Sequence, residues 1–423
     1  MKKGGCLLLV AGVSALAAAL FIPFARKAAV SPFVCADPLG CLDLAPEEPL
    51  KLGVIESLTG KVATLGQEQV RGLELALARR GGKLSGRTVA LQIEDSGCTP
   101  EGGANAALRI TADPKIAAVF GTTCSCDAAT AAKVVSQAGL SMISGNNSAP
   151  YLTALCGLKA PSWQDGYLRT APNEEFSGPT AARFAHEKLG LRLAATVDDG
   201  DIYTTGLTGG FKKEFERLGG KVVLSATIDK GDVDMAPVLT AVTNSGADLV
   251  FFPLFQPEGN NLLLAARKSP DLQNLVLMSD GSLIDATFIA AVGQAAVGMY
   301  FVGPTPPPDS PELARLRDEY QTRYREAPPT EYYANAFDAA AILCDAIEKT
   351  AVTDPSGGLH LPRQALRDAL YATAGHRGVT GRLTCDRFGD CARPSFNVLT
   401  LRDPACGIEG LKANPVFTFA ADQ

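Results

Sequence analysis

The chain has few of the residues on which enzymes most often rely. Histidine occurs three times in 423 residues, at His186, His360 and His376, and none of these positions falls at a predicted strand end. The sequence contains neither the GxSxG turn that presents a nucleophilic serine nor the GxxxxGK loop, followed by Ser or Thr, that cradles phosphate. We therefore expect neither an enzyme nor a bound cofactor.

Positive charge is also in short supply. The chain has 39 basic and 45 acidic residues, and its net charge is −6. Four of the basic residues and none of the acidic ones lie in the first 30 positions, so the rest of the chain carries −10. Nucleic acid is therefore excluded as an expected partner.

The chain begins with an apolar run at residues 6–24, which two lysines precede and Arg26 and Lys27 follow. This arrangement is typical of an export segment. We interpret residues 1–30 as a signal peptide or an N-terminal membrane anchor, with a buried helix as the alternative, and residues 31–49 as a linker. The protein is then exported to the periplasm or the cell surface, and this segment is its only contact with the membrane.

Ten of the 11 cysteines follow the apolar run, an even number that suits an oxidising compartment. Two pairs are close in sequence, Cys35 with Cys41 and Cys385 with Cys391, and we predict that both form disulfides. Zinc is the rival interpretation. Its ligands usually recur at short spacings with histidine available, and this sequence offers neither, so no metal site is expected.

From residue 50 onward, short apolar strands alternate with helical patterns, which predicts a parallel sheet with crossover helices. The series restarts near residue 171, so we predict two doubly wound α/β domains of similar size. A proline-rich break at 303–312 precedes two long predicted helices at 312–326 and 332–350. Without a sheet of their own, these helices must pack on one of the two domains.

Open parallel sheets bind ligands beyond the carboxyl ends of their strands, and the two domains differ there. The first carries hydroxyl and amide groups, and the second carries acidic and aromatic groups. The first set is Ser57, Thr59, 95–98, 122–125 and 144–148, and the second is Asp198, Asp199, Asp201, Tyr203, Phe255, Gln256, Glu258 and 280–282.

This difference has a chemical interpretation. Hydroxyls and free backbone N–H groups at a helix start suit a carboxylate, whereas acidic and aromatic groups suit an ammonium. A small zwitterion held between the domains would satisfy both sets. The alternatives are that Ser125 only caps its helix and that Asp280 only forms a turn. The acids at Asp198, Asp199 and Asp201 are expected in a solvated turn that starts a helix rather than in a catalytic set.

The segment "GTTCSCDAATAAKVVSQAGLSMISGNNSAPYLT", with "EDSGC" before it and "YLRTAPNEEFSGPTAA" and "DDGDIYTTGL" after it, resembles the type I periplasmic binding proteins of ABC importers. The branch that it resembles most is the leucine, isoleucine and valine binding proteins, over roughly residues 50–401. The resemblance implies two Rossmann-like lobes joined by a hinge of three crossings. Lobe 1 would comprise 50–171 and 303–378, and lobe 2 would comprise 172–302 and 379–423.

The resemblance also implies a ligand site between the lobes. Ser125 and Ser148 match the hydroxyls that bind the ligand carboxylate, with the backbone around Asn147 and Ser148 contacting the zwitterion. Leu65 stands where relatives often have an aromatic residue, so the side-chain pocket is expected to be roomier.

The second lobe is expected to complete this site. Tyr203 matches the aromatic residue that packs on the ligand, and Phe255 matches a neighbouring wall. Asp280 stands where the family usually has a glutamate for the ammonium.

A disulfide between Cys98 and Cys124 follows from the same resemblance. Cys126 is left without a partner in that motif, and Cys156 is the nearest candidate for it. Cys344 is expected either as a free buried thiol or as the partner of Cys406.

The function that the resemblance implies is capture of a small aliphatic amino acid by a monomer, whose closed form delivers it to an ABC transporter permease. Two alternatives stay open. One is the ligand-binding ectodomain of a sensor, which an uncleaved anchor would favour, although no signalling domain follows. The other is a binding protein for a small carboxylate or amide that is not an amino acid.

Overall fold

The computed structural model describes Met1 and residues 33–420. The predicted export segment therefore lies almost wholly outside the described residues. Among the helices that are described, none combines the length and the apolar character needed to cross a bilayer.

The first lobe is built on a sheet whose strands alternate with helices along the chain. The strand Leu50–Glu56 is a nearly continuous buried run, as expected for a strand covered on both faces. All strands run parallel except the short edge strand Lys83–Leu84. Their spatial order is Lys83–Leu84, Arg87–Asp95, Leu50–Glu56, Ile116–Gly121, Met142–Ser144 and Tyr167–Arg169.

The helices that follow the proline-rich segment pack back on the first lobe, as predicted. The helix Tyr332–Thr350 lies against the helix Ala63–Arg79. The two approach closely at Gly72, where a Cβ would lie 2.6 Å from the Tyr333 carbonyl oxygen. The helices of this lobe are Ala63–Arg79, Pro100–Thr111, Ser125–Gln137, Pro311–Tyr324, Tyr332–Thr350 and Arg363–Tyr371.

The second lobe has a sheet of the same kind with an antiparallel edge. In spatial order its strands are Lys221–Thr227, Leu193–Asp198, Leu249–Phe251, Val276–Asp280, Tyr300–Pro304, Ser395–Thr400 and Pro415–Ala420, and only Ser395–Thr400 runs antiparallel to its two neighbours. Its helices are Ser177–Arg183, which continues as a π turn to Lys188, Ile202–Arg217, Ala236–Ser245, Glu258–Lys268, Ala286–Val292 and Gly407–Lys412. The prediction of two doubly wound α/β lobes is confirmed.

The chain crosses between the sheets three times, but the third crossing lies later than predicted. Residues 379–391, which we assigned to lobe 2, pack on lobe 1. Val379 N donates to Asp338 Oδ1 (2.8 Å), and Cys391 N donates to Arg169 O (3.0 Å). Since Val379 and Cys391 are also buried in the apolar core of lobe 1, the chain returns to the second sheet only after Cys391.

The predicted linker at 31–49 also contains structure. The segment Cys41–Leu44 is a strand that pairs antiparallel with Leu359–Pro362. Leu42 and Leu44 are each only 2% exposed, because they enter the core of lobe 1. Two buried leucines at alternate positions therefore make this part of the segment a component of the lobe.

Candidate functional site

A cavity of about 470 Å³ lies between the lobes at the carboxyl ends of both sheets, a size that suits a small molecule. Both lobes contribute to its wall. Lining residues from lobe 1 include Lys61, Leu65, Thr123, Cys124, Ser125, Asn146, Ser148 and Tyr332, and those from lobe 2 include Tyr203, Phe255, Gln256, Ser282 and Asp285. The basic residues Arg382, Arg393 and Lys412 line it as well.

The wall from lobe 1 is made of hydroxyls and a helix start. Ser125 is the first residue of the helix Ser125–Gln137, and Cys124 occupies the N-cap without a side-chain cap. The first backbone N–H groups of the helix therefore remain available for an anion. Ser125 Oγ accepts a hydrogen bond from Ala149 N (3.2 Å), which brings Ser125 and Ser148 to the same part of the wall. Ser125 is not the cap of its helix, contrary to the simpler alternative.

Asn147 does not line the cavity, although we predicted that it helps to bind the ligand. Its Nδ2 donates to Thr122 O (2.9 Å) and Cys124 O (2.8 Å), and its Oδ1 accepts from Tyr167 OH (2.9 Å). These contacts hold the loop in front of the helix. Its neighbour Asn146 lines the cavity instead.

The wall from lobe 2 is aromatic. Tyr203 lies in the first turn of the helix Ile202–Arg217, and its ring centroid lies 5.5 Å from that of Phe255. Asp201 caps this helix by accepting from Tyr203 N (2.9 Å), and it also pairs with Lys230 (2.6 Å). Asp201 is thus buried and bonded, contrary to the solvated turn that we expected.

Asp280 ends the strand Val276–Asp280 behind this aromatic wall, where it is fully buried. It accepts hydrogen bonds from Tyr203 OH and from Ser282 Oγ (2.7 Å). Burial raises the pKa of Asp280 to about 6, although these two hydroxyls oppose the rise. Tyr203 and Ser282 line the cavity, so they connect it with the buried acid.

A second buried acid, Glu174, was not among the site residues predicted from the sequence. It is 2% exposed, and neither of its carboxylate oxygens accepts a hydrogen bond of normal geometry. Burial, and next the charge of Asp280, raise its pKa to about 8, while the nearby hydroxyls of Tyr203 and Ser148 offset part of the rise. In "RTAPNEEF" nothing distinguishes Glu174 from the half-buried Glu175.

Leu65 and Tyr332 both line the cavity from lobe 1. Tyr332 is the first residue of the helix Tyr332–Thr350, which follows the proline-rich segment. Its aromatic ring lines the cavity, whereas Leu65 contributes an aliphatic side chain where relatives often have an aromatic one. Sequence reasoning placed these helices near a lobe but did not connect them with the site.

Three disulfides are present in the described part of the chain, and they join Cys35 to Cys41, Cys98 to Cys124, and Cys385 to Cys391, as predicted. Four described cysteines are outside disulfides. Cys126 and Cys344 are buried and Cys156 and Cys406 are exposed, so neither of the two further pairings that we considered is formed. No group of three or more described His, Cys, Asp or Glu residues is arranged to hold a metal ion.

Comparison with known proteins adds to this geometry. The sequence profile of the family described as "Periplasmic binding protein" matches residues 49–391. The chain is 27% identical over 357 residues to the "Leu/Ile/Val-binding protein homolog 3" of Brucella melitensis, covering 84% of this chain and 92% of that protein. It is 26% identical to the "Leucine-, isoleucine-, valine-, threonine-, and alanine-binding protein" of Pseudomonas aeruginosa, covering 83% and 89%.

Two solved structures illustrate the likeness in fold. A leucine-binding protein from Thermotoga maritima superposes with a TM-score of 0.72 at 22% identity, covering 84% of this chain and 96% of that one. A solute-binding protein from R. palustris in complex with 4-hydroxybenzoate superposes with a TM-score of 0.74 at 21% identity, covering 89% and 98%.

Proposed function

The chain belongs to the periplasmic binding protein family, and we propose that it captures a small amino acid between its lobes and delivers it to an ABC importer. The observation that carries this proposal is the pairing of two unlike walls across one cavity. Lobe 1 offers hydroxyls and a helix start, and lobe 2 offers an aromatic surface backed by a buried acid. A zwitterion with a short apolar side chain is complementary to both.

The carboxylate of the ligand would bind at the start of the helix Ser125–Gln137. The first N–H groups of this helix receive no side-chain cap, and together with the helix dipole they favour negative charge. The hydroxyls of Ser125 and Ser148 are the additional donors that we assign to it. Asn147 acts indirectly, because its side chain holds the loop that contains Ser148.

The ammonium would bind on the opposite wall at Tyr203, with Asp280 directly behind that side chain. Asp280 is buried, so a charge-assisted contact with an ammonium is strong there and little water competes with it. Phe255 and Leu65 would contact the side chain. Their apolar surfaces favour an aliphatic side chain without restricting the site to one of them.

Capture would proceed by hinge closure, because only three chain segments cross between the lobes and they can bend as a hinge. A membrane permease would recognise the closed form. The ligand would be released unchanged, because binding and delivery involve no covalent step. Membership of the family implies a location outside the cytoplasm. Whether the N-terminal segment tethers the protein there is decided by the mass of its mature N-terminus, and a retained segment would favour a sensor.

A small aromatic carboxylate is the second candidate ligand. It is favoured by the structural likeness to the R. palustris protein that binds 4-hydroxybenzoate. The helix start and the hydroxyls of Ser125 and Ser148 would serve this carboxylate equally well. Such a ligand would, however, leave Asp280 without a cation to contact.

Titration calorimetry with the twenty amino acids, 4-methylpentanoate and 4-hydroxybenzoate tests the proposal. We expect micromolar or tighter binding of one or more aliphatic amino acids and much weaker binding of the two acids that lack an amine. Preference for 4-hydroxybenzoate would instead support the second candidate. A ligand released by denaturing the protein purified from its host provides an independent identification.

A further inference from the structure

The cavity also reaches the place where the chain crosses between the lobes. The second and third crossings run side by side there, since Thr305 N donates to Ser395 O (2.8 Å). The lining residues of this part, which we call the crossing end, are 304–308, Thr380, Arg382, Ala392, Arg393 and Ser395. The groups assigned to the carboxylate and the ammonium come from other segments, so the crossing end would meet a different part of the ligand.

The wall of the cavity carries more positive than negative charge. Among its described lining residues the basic ones are Lys61, Arg382, Arg393 and Lys412, and the acidic ones are Asp285 and Glu331. Lys61 pairs with Glu258, and Lys412 pairs with Glu331, so acids of the facing lobe balance two of the basic groups. Asp285 is occupied as the N-cap of the helix Ala286–Val292. The other two basic residues, both arginines, belong to the crossing end.

Arg382 is placed unfavourably unless an anion is present. It lies in a hairpin of the strands His376–Gly378 and Gly381–Leu383, in which its register partner is Arg377. Like charges directly opposite each other on paired strands are destabilising. Among the described residues Arg382 forms no ion pair that would offset this repulsion. A bound anion would offset it.

The two arginines are carried by adjoining and well-anchored segments. The carboxylate of Asp338 is fully buried, and it accepts hydrogen bonds from the two backbone N–H groups of the hairpin turn, at 2.8 and 2.9 Å. Thr384 N donates to Cys391 O (3.0 Å), which joins the hairpin to the start of the third crossing. Arg382 and Arg393 each lie two residues from this bond, so one group can contact both.

We propose that Arg382 and Arg393 bind an oxyanion at the crossing end, with Lys412 of lobe 2 adding positive charge to the same cavity. This inference rests on the proposed function and extends it to the far end of the ligand. The oxyanion is the side-chain carboxylate of the captured amino acid or a separate small anion bound beside it. A guanidinium suits both, because its N–H groups can donate two parallel hydrogen bonds to carboxylate or phosphate oxygens.

The size of the effect follows from the exposure of the site. Both arginines are exposed, so solvent screens their attraction to an anion. We therefore expect the contact to raise affinity by about five- to tenfold, well below the effect of a buried charge. The gain should shrink as the salt concentration rises, because salt screens exposed charges further.

The test is titration calorimetry at pH 7 with L-2-aminoadipate and L-norleucine. These two amino acids share the α-amino group, the α-carboxylate and three side-chain methylene groups, and they differ in ending with a carboxylate or a methyl group. The difference in their affinities therefore reports the crossing end alone. The wild type should bind 2-aminoadipate about five- to tenfold more tightly than norleucine at low salt. Norleucine is titrated a second time with inorganic phosphate present.

Three variants assign the preference to Arg382. It should disappear in Arg382→Gln and be retained for the most part in Arg382→Lys, which keeps the charge. Arg387→Gln is the matched control, because Arg387 is an exposed arginine of the same returning segment that is absent from the cavity wall, so the preference should persist. Arg382→Gln should fold, since it removes the repulsion from Arg377, and its midpoint of urea denaturation should not fall.

The outcomes separate the two sources of the oxyanion. If phosphate strengthens norleucine binding in the wild type and not in Arg382→Gln, the site exists and takes a free anion. Equal or weaker binding of 2-aminoadipate together with no effect of phosphate overturns this inference and leaves the proposed function intact, as does a preference that survives in Arg382→Gln. Binding of neither amino acid, with tight binding of 4-hydroxybenzoate, overturns both.

Discussion

Lys61 Nζ of lobe 1 lies 2.9 Å from Glu258 Oε1 of lobe 2, so this ion pair joins the lobes at the cavity wall, and Lys412 of lobe 2 forms a second one with Glu331 of lobe 1 (3.0 Å). Glu258 begins the helix Glu258–Lys268 and also accepts from Gly231 N (2.7 Å), which holds it in place. The side chain of Lys61 is 54% exposed, so solvent screens its attraction to Glu258. The pair therefore favours the closed form only modestly.

We predict that Lys61→Gln shifts the protein toward its open form. An exposed ion pair contributes at most about 1 kcal/mol, so ligand affinity should fall by about two- to fivefold. Small-angle scattering of the ligand-free variant should give a larger radius of gyration than the wild type.

The control is Lys51→Gln, which removes an ion pair with Asp113 (2.8 Å) inside lobe 1. It should change neither affinity nor radius. Equal effects of the two substitutions would mean that Lys61 acts through general stability and not through closure.

Asp280→Asn should weaken amino-acid binding by at least about 100-fold. The substitution keeps the shape of the side chain and removes a buried charge that we expect to meet the ammonium. Loss of such a buried partner costs about 3 to 5 kcal/mol, and the lower part of that range gives the stated factor. Calorimetry with the preferred amino acid measures it.

Asp271→Asn is the matched control, because Asp271 lies on the surface of the same lobe. Asp201, which we expected in a solvated turn, is unsuitable as a control, because it caps a helix and pairs with Lys230. Unchanged affinity in Asp280→Asn would make this acid a structural residue and would argue against an amino-acid ligand.

The fold could be predicted from the sequence because strands and helices have distinct hydrophobic periods. The prediction was wrong where a segment is too short to show a hydrophobic period. The strand Cys41–Leu44 contains only two buried positions, Leu42 and Leu44, and so short an alternation does not distinguish a strand from a linker. Val379 and Cys391 lie in short irregular segments, and their membership of lobe 1 depends on the distant partners Asp338 and Arg169.

The site was partly predictable for a related reason. Ser125, Ser148 and Tyr203 follow strands, so topology alone brings them to the cavity. In a loop or a 3₁₀ turn, by contrast, no period tells which of two neighbours points inward. The structure distinguishes Asn146 from Asn147, and Glu174 from Glu175, through contacts that the sequence does not encode locally.

The empty protein should lose stability as the pH rises from about 5 to 8. Burial raises the pKa of Glu68 and Glu174 to about 8 from an ordinary value of 4.5. Between these values the folded chain binds more protons than the unfolded chain, so the free energy of unfolding falls with pH. Urea denaturation at pH 5, 6.5 and 8 measures the slope.

Glu174→Gln removes one of these groups, so its slope should be shallower by up to about 1.4 kcal/mol per pH unit. Glu175→Gln should keep the wild-type slope. An identical slope in Glu174→Gln would show that Glu174 is ionised in the empty protein throughout this range.

Loss of the disulfide between Cys98 and Cys124 should affect both stability and binding. It closes a separation of 26 residues, and its removal by replacing both cysteines with serine should cost about 2 to 4 kcal/mol in the free energy of unfolding. Cys124 is also the N-cap of the helix that begins at Ser125, and it lines the cavity. We therefore expect ligand affinity to fall in parallel.

The double serine variant at Cys35 and Cys41 is the control. That disulfide closes a separation of only 6 residues and is absent from the cavity wall, so the control variant should lose less stability and keep its affinity. A non-reducing peptide map should link Cys98 to Cys124 in the exported protein. If the map finds both as free thiols, or if the two double variants lose affinity equally, the disulfide does not organise the carboxylate end of the site.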